Sequence, residues 1–509
     1  MCALSLKGLT DGYMNAVEKA ENLDASVSRR ALFSAGALAS ALMVSESASA
    51  QEADIQSGGG NPWRSVENRL VRRITMGITQ EDAATAKRRG FSAYLEQQLN
   101  HTRIDDSVCE RYVASRYPAV NASIAQLDNM DSWRVWQQLG AATVYRSVFS
   151  KRQLYQRMVE FWTDHFNIDI DKVGPALKVV DDREVIRKYA LDTFPKLLRA
   201  SAKSTAMLYF LDNTNSYVGH PNINYARELE ELHTMGVNGG YTPRDIREVA
   251  RCFTGWMMEW DKNSPNYGNF VFNEWAHDFD EKTVLGHRIP AGRGIQDGEQ
   301  VLEILLNHPS TAKFIARKMA RWLLMYEPSE SLVNSVAGVF TRSRGDIKAM
   351  IRAILTRTNV SRQPAKLKRP YHFAVSALRS LKPTVRSLEQ LHDWRLYVLG
   401  QRPFNWSPPD GYPDNVEFWV GALLPRWNFA GSLMNDEVDG VQVNVRTLFS
   451  GLRTATQVVE KINQMLFGGE MPTNEKATLT TYLGARATDP VRQRAAIAMA
   501  LSGPGFQCY

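Results

Sequence analysis

Apolar residues recur in this chain with the period of an α-helix, segment after segment, and that recurrence limits the fold more than any other feature. In "KRQLYQRMVEFWTDHFNI", Leu154, Met158, Phe161 and Trp162 fall at i, i+4, i+7 and i+8, the spacing of one helix face. "WRSVENRLVRRITMG", "TAKFIARKMARWLLMY" and "AMIRAILTRT" show similar amphipathic spacing. "TQEDAATAKRRGFSAYLEQQLN" opens with Thr79 ahead of Glu81 and Asp82, a helix start. Alternating patterns are scarce, and "NFVFNEW" is one candidate for a short hairpin. The expectation is a mainly α protein: a large multi-helical single domain over residues 64–509 with few short strands. The 44% hydrophobic and 23% charged residues suit a chain with a substantial core. The formal charge of +7 over 509 residues comes without a long Lys/Arg run, so no nucleic-acid partner is expected.

The start of the chain reads as an address. Arg29 and Arg30 precede an apolar stretch from Ala31 to Val44, and Ala48-Ser49-Ala50 offers a small-residue cleavage pattern, the order of an export signal. As a helix that stretch is about 21 Å long, short of the roughly 30 Å needed to cross a bilayer. "SRRALF" resembles the twin-arginine signal of bacterial export, with Ser34 in place of the usual basic residue. Residues 1–50 are therefore expected to be a twin-arginine-type signal peptide and 51–63, with its Gly triplet, a flexible linker. The mature chain is expected in the periplasm or outside the cell, without a transmembrane anchor. It would keep Cys109, Cys252 and Cys508, which are too far apart for a disulfide framework or a Cys-type zinc motif.

"YARELEELHTMGVNGGYTPRDIREVARCFTGW", residues 225–256, is the densest polar stretch. Asn222 or Asn224 can cap a first helix, and Gly236 can stop it, with Val237 making the contact after the cap. Thr242, Pro243 and Asp245 read as N-cap, N1 and N3 of a second helix, whose buried stripe is Ile246, Val249, Ala250 and Phe253. On a regular helix Glu228 and Glu231 share one face, Glu230 and His233 another, and Glu231 and His233 point nearly opposite ways. Either pair could give two ligands to one metal, and Glu228 with Glu231 could also serve as a carboxylate pair in glycoside hydrolysis. The bland alternative is an ordinary polar surface with i,i+4 ion pairs, Arg227–Glu231 and Arg244–Glu248.

The wider sequence resembles the DUF1800 family, exported bacterial proteins without an assigned reaction. The resemblance rests on "YFLDNTNSYVGHPNINYARELEELHTMGVNGGYTPRDIREVARCFTGW", "FWTDHFNI", "HDFDEKTVLG", "LLNHPSTAKFIARKM", "LGQRPFNWSPPDGY" and "ALSGPGFQCY". Glu230 stands where the family usually has Leu, and Asp410-Gly411-Tyr412 replaces its usual GW. The resemblance puts Asp212, Asn213, Asn215, Asn222, Asn224, Tyr225 and Arg227 in motif positions, as polar or binding residues. It suggests His165, Glu231, His233, His277 and Asp278 as ligands of a divalent metal such as Zn. Glu228, Glu231 and His233 are the catalytic candidates, with Glu228 the general base. Trp162, Tyr225, Trp256 and Trp260 could form a platform for sugar rings. The expected function is a metal-dependent hydrolase of an envelope or extracellular polymer. The alternative is a non-catalytic partner of a DUF1501-type exported protein or of a polysaccharide, its polar cluster structural.

Replacing Arg29 and Arg30 together with lysine should strand the precursor in the cytoplasm, read by cell fractionation. Unchanged export would rule out the twin-arginine route.

Overall fold

Helix Pro370–Leu381 runs through the interior, and all 12 of its residues are buried. A helix enclosed on every side must meet its polar groups from within. The Ser376 and Ser380 hydroxyls donate to the carbonyls of Met76 and Ile78 at 2.8 and 2.9 Å. The Arg379 guanidinium donates to the carbonyls of Gly77 and Val148 and to the Asp82 carboxylate, at 3.1, 2.8 and 2.8 Å. The helix's own Phe373, Val375, Leu378 and Leu381 pack into an apolar core.

The computed structural model describes residues 63–509, and the expected signal peptide and nearly all of the expected linker lie outside them. The described chain is a single multi-helical domain whose apolar side chains form two large cores. One gathers residues from the segments 70–99, 154–211 and 225–360. The other joins 113–148 to 371–506 around the enclosed helix. Proline opens helices Pro243–Cys252, Pro309–Leu323, Pro370–Leu381 and Pro490–Ser502, where a missing N–H has no helical partner to lose. The strands are two or three residues long and pair antiparallel. "NFVFNEW" supplies one of them, Phe270–Phe272 against Trp256–Met258. Among the described residues no helix is long and apolar enough to cross a membrane.

Helix Gln153–His165 buries its predicted stripe in the first core. The hairpin that follows later also forms, with two changes. Asn222 is the cap, Gly236 takes φ +81°, and Thr242 and Asp245 make the capping box. Val237, however, is 64% exposed and makes no closing apolar contact of the expected kind. More consequentially, the helix that begins as Ile223–Glu228 widens to π winding over Leu229–Thr234. Met235 N–H donates to the carbonyl of Glu230, five residues back, at 2.8 Å. Angles reckoned at 3.6 residues per turn do not hold through such a turn. The three cysteines in the described chain are buried free thiols.

Residues 400–412 are clamped against the end of helix Gln153–His165. Asn167 Nδ2 donates to the carbonyls of Trp406 and Pro408, both at 2.7 Å, and Ile170 N–H donates to that of Phe404 at 2.9 Å. Gly411 sits at φ +76°, where an added Cβ would lie 2.1 Å from the Asp164 carbonyl oxygen. Gly400, at φ +85°, has open space around the same position. Gly411→Ala should therefore lower the thermal midpoint well beyond Gly400→Ala, by at least about 2 kcal/mol of added strain. Equal shifts would mean that the loop yields freely.

Candidate active site

The face of helix Gln153–His165 opposite its apolar stripe looks into a small cavity between the two cores. Its volume is about 40 Å³, room for roughly two to four waters. Gln156, Glu160, Thr163 and Asp164 come from this helix, Thr143 and Ser147 from helix Ser132–Phe149, and Tyr371 from the enclosed helix. Gln401, Pro403, Phe404 and Tyr412 come from the clamped loop. Arg187 completes the lining from a second π-wound turn, Asp182–Arg187. That winding lets residues five apart meet, and Arg187 Nε donates to Asp182 Oδ2 at 2.6 Å. Hydroxyl, amide and phenol groups punctuate a wall whose exposed surface is mostly apolar. Tyr371 O–H donates to Ser147 Oγ at 2.8 Å, and its backbone N–H donates to Gln401 Oε1 at 3.0 Å. Phe404 holds φ +69° while buried, a conformation that costs a side chain of this size about 1–3 kcal/mol and persists only where its surroundings fix it.

Glu160 and Asp164, four residues apart, share the buried Arg369 guanidinium. Arg369 Nη1 donates to Asp164 Oδ2 at 2.6 Å and Nη2 donates to Glu160 Oε1. Arg157 Nη1 donates to the other Glu160 oxygen at 3.1 Å. Burial pushes Asp164 up to about 6 in spite of Arg369, and the Glu160 carboxylate adds to the rise. The Asp164 side chain keeps 18% of its surface open. It is therefore an acid near neutral pH that a ligand can reach. Half-buried Lys318, pushed down to about 8 by burial, is a second charge acting on Asp164, and Asp410 acts on it in turn.

The residues expected from the sequence divide into several places. His165 and His233 come together in the first core with ring centroids 6.2 Å apart. His165 Nε2–H donates to the His233 carbonyl at 3.1 Å, leaving His165 Nδ1 and His233 Nε2 without partners. Burial, with Lys318 nearby, pushes His165 well below the imidazole range and His233 to about 3, so both are neutral. Glu228 and Glu231 are half-buried. Burial and Glu231 raise Glu228, with Asp410 also acting on it. Burial and the Glu231 carboxylate push Tyr241 up to about 12.

His277 and Asp278 bond elsewhere. His277 Nδ1 lies 2.8 Å from the Thr254 carbonyl and Nε2 3.4 Å from Asp297, which Lys282 also holds at 2.7 Å. Asp278 is paired with Arg251 at 2.7 Å. The motif Asp and Asn residues brace turns. Asp212, at φ +60°, accepts from Lys172 and Asn224, while Asn213 Nδ2 donates to the carbonyls of Phe253 and Trp256. Asn222 caps its helix, and Asn215 and Arg227 are exposed. Tyr225 packs edge-on against Phe253. With Trp162 and Trp256 it is core, so the expected sugar platform reduces to Trp260, 54% exposed.

A Zn-type site needs at least three converging ligands. Among the described residues the set of three whose ligand atoms lie within 4.8 Å of one another is Asp106, Cys109 and Glu110. Those groups are committed: Asp106 to Ser150 and Lys151, Glu110 to Arg146, and Cys109 held up to about 12 by burial. The expected ligands His165, Glu231, His233, His277 and Asp278 do not assemble into such a set. The π turn sends His233 inward, beside His165 and within the field of the Lys318 cation, which opposes a second positive charge.

Glu160, Asp164, Lys318, Arg369 and Tyr412 had no role in the sequence reading. A signal was there: Gln156, Glu160, Thr163 and Asp164 repeat at i, i+4, i+7 and i+8, the spacing of the apolar stripe but on the other side of the helix. The cavity lies under two of the segments that carried the family resemblance, "FWTDHFNI" and "LGQRPFNWSPPDGY". Fold and site thus define a helical protein with a small cavity at the seam of two cores, into which Glu160 and Asp164 reach while held by Arg369. A family model described as "Protein of unknown function (DUF1800)" matches residues 69–508, and the chain belongs to this family. No curated protein and no solved structure matches it.

Glu230 is fully buried with neither carboxylate oxygen bonded, and burial pushes it up to about 8 from an ordinary 4.5. A carboxyl raised on folding binds its proton more tightly in the native state. Its contribution to stability is therefore lost as pH climbs from about 4.5 to about 8. Glu230→Leu should be more stable than the parent at pH 8, by a few kcal/mol, and the gap should close toward pH 4.5. A gap that does not vary with pH would mean that Glu230 is solvated.

Proposed function

We propose that this chain is an exported hydrolase that cleaves glycan polymers at the mouth of the seam cavity, with Asp164 as general acid. The observation that carries the reading is Asp164 itself. It is raised to about 6, oriented by Arg369 and partly open to a cavity lined with hydroxyl and amide groups. Cleavage of a glycosidic bond needs a proton on the leaving oxygen and a water at the anomeric carbon. Protonated Asp164 donates to the leaving oxygen, the water adds, and the water's proton restores the acid. Arg369 fixes the carboxyl in place, while Ser147, Tyr371, Gln401 and Tyr412 offer the donors and acceptors that sugar hydroxyls need. Trp406, its ring centroid 4.9 Å from Tyr412, supplies an apolar ring at the same loop.

The mature chain should release reducing ends from a polysaccharide, at a rate that falls as pH rises through about 6. Asp164→Asn should lower kcat by at least about 100-fold and abolish that limb. If cleavage persists in Asp164→Asn, Asp164 is not the acid. If the parent cleaves no polysaccharide or glycan-containing wall, the non-catalytic reading as a partner of a DUF1501-type protein takes its place.

A further inference from the structure

We infer that the exposed aromatic rings on the helices flanking the loop over the cavity form a binding strip for an extended glycan chain. This rests on the proposed glycan reading and adds where the polymer lies outside the cavity. Trp133, Trp394, Tyr397 and Phe418 are 56, 56, 61 and 50% exposed. Trp133 stacks on Trp136 with centroids 4.5 Å apart and planes 15° from parallel, which leaves one broad face outward. The Arg402 guanidinium bridges Trp136 and Tyr397, 4.6 and 5.3 Å from their ring centres, and Trp394 adjoins Tyr397 at 6.3 Å. Beyond Arg402 the series resumes with Trp406, which meets Tyr412 and Phe418 at 4.9 and 5.9 Å.

The strip and the cavity share a loop. Arg402 holds the strip by its side chain, its carbonyl accepts from the cavity residue Tyr412 at 2.8 Å, and its neighbours Gln401 and Pro403 line the cavity. A chain laid over the rings would thus run beside the loop whose Gln401, Pro403 and Tyr412 line the cavity together with Asp164. Exposed aromatic faces of this extent mark a binding surface, and flat rings with wet edges suit ligands that are apolar on one face and polar at the rim. The rim carries Gln137, Gln390, Asp393, Glu437 and Asp439, bonded among themselves and to Arg395 and Arg402. Arg395 and Arg402 offset the carboxylates there, so the rim carries little net charge to draw a phosphate backbone, and its amides and carboxylates match sugar hydroxyls.

The test uses the mature chain carrying Asp164→Asn, so that binding is read without cleavage, on insoluble chitin, cellulose and peptidoglycan sacculi. Retention is expected on at least one of them. Trp133→Ala/Trp394→Ala/Tyr397→Ala together should weaken it by tenfold or more, with circular dichroism and thermal midpoint unchanged. Trp394→Ser alone should give a smaller loss if the triple variant folds poorly. Undiminished retention in these variants, or retention on none of the three matrices, overturns the strip. A concentration-dependent dimer of the parent that the triple variant abolishes, without any change in retention, would make the strip a protein interface and also overturns it. Retention through the strip by a parent chain that cleaves nothing defeats the hydrolase reading and leaves the strip. Cleavage of soluble oligosaccharides with strip-independent retention does the reverse.

Discussion

The Arg369 guanidinium is the interaction on which the seam depends. Arg369 stands at the N-cap position of the enclosed helix, which belongs to one core, and its guanidinium reaches Glu160 and Asp164 on a helix of the other. Taking three charges out of water is costly, and buried pairs often give little net stability. Their effect is directional. Once both carboxylates are removed from water, a guanidinium fork placed between them satisfies both, so the two helices have one register in which the charges are answered. The same arrangement leaves Asp164 the less satisfied partner. It holds one arm of the fork, feels Glu160 beside it and sits high for an aspartate.

Departures from regular winding deliver much of what surrounds this seam. π-wound turns at Asp182–Arg187, Leu229–Thr234 and Leu391–Arg395 set the positions of Arg187 in the cavity wall, His233 against His165, and His392 under Trp136. Each inserts the equivalent of one extra residue and rotates the side chains that follow. Close packing then fixes the result. An added Cβ at Gly140 would stand 2.2 Å from the His392 ring, and one at Gly411 2.1 Å from the Asp164 carbonyl.

These features explain what the sequence could convey. The fold class, the buried stripe of helix Gln153–His165, the Thr242–Asp245 capping box and the stop at Gly236 follow from local rules, and the structure has them. The site is less local. Glu228, Glu231 and His233 became candidates through the family resemblance, since regular pitch sets Glu231 and His233 on nearly opposite sides, and no residue type announces the π turn that redirects His233. His277 drew attention as a motif histidine, yet its partners, Thr254 and Asp297, lie 20 or more residues away along the chain. Glu160 and Asp164 were visible as a polar stripe, but Arg369, which gives them meaning, is more than 200 residues distant. Only the packing of the two cores joins them.

The central claim is that Arg369 couples the two carboxylates across the seam, and a mutant cycle on the mature chain tests it directly. Arg369→Met alone should cost about 3–5 kcal/mol in unfolding free energy, because it leaves buried Asp164 without a cation and Glu160 with Arg157 alone. The triple variant Arg369→Met/Glu160→Gln/Asp164→Asn should recover most of that loss, giving a coupling of at least about 1.5 kcal/mol. Losses that simply add would show that the three side chains do not depend on one another, and would contradict the account.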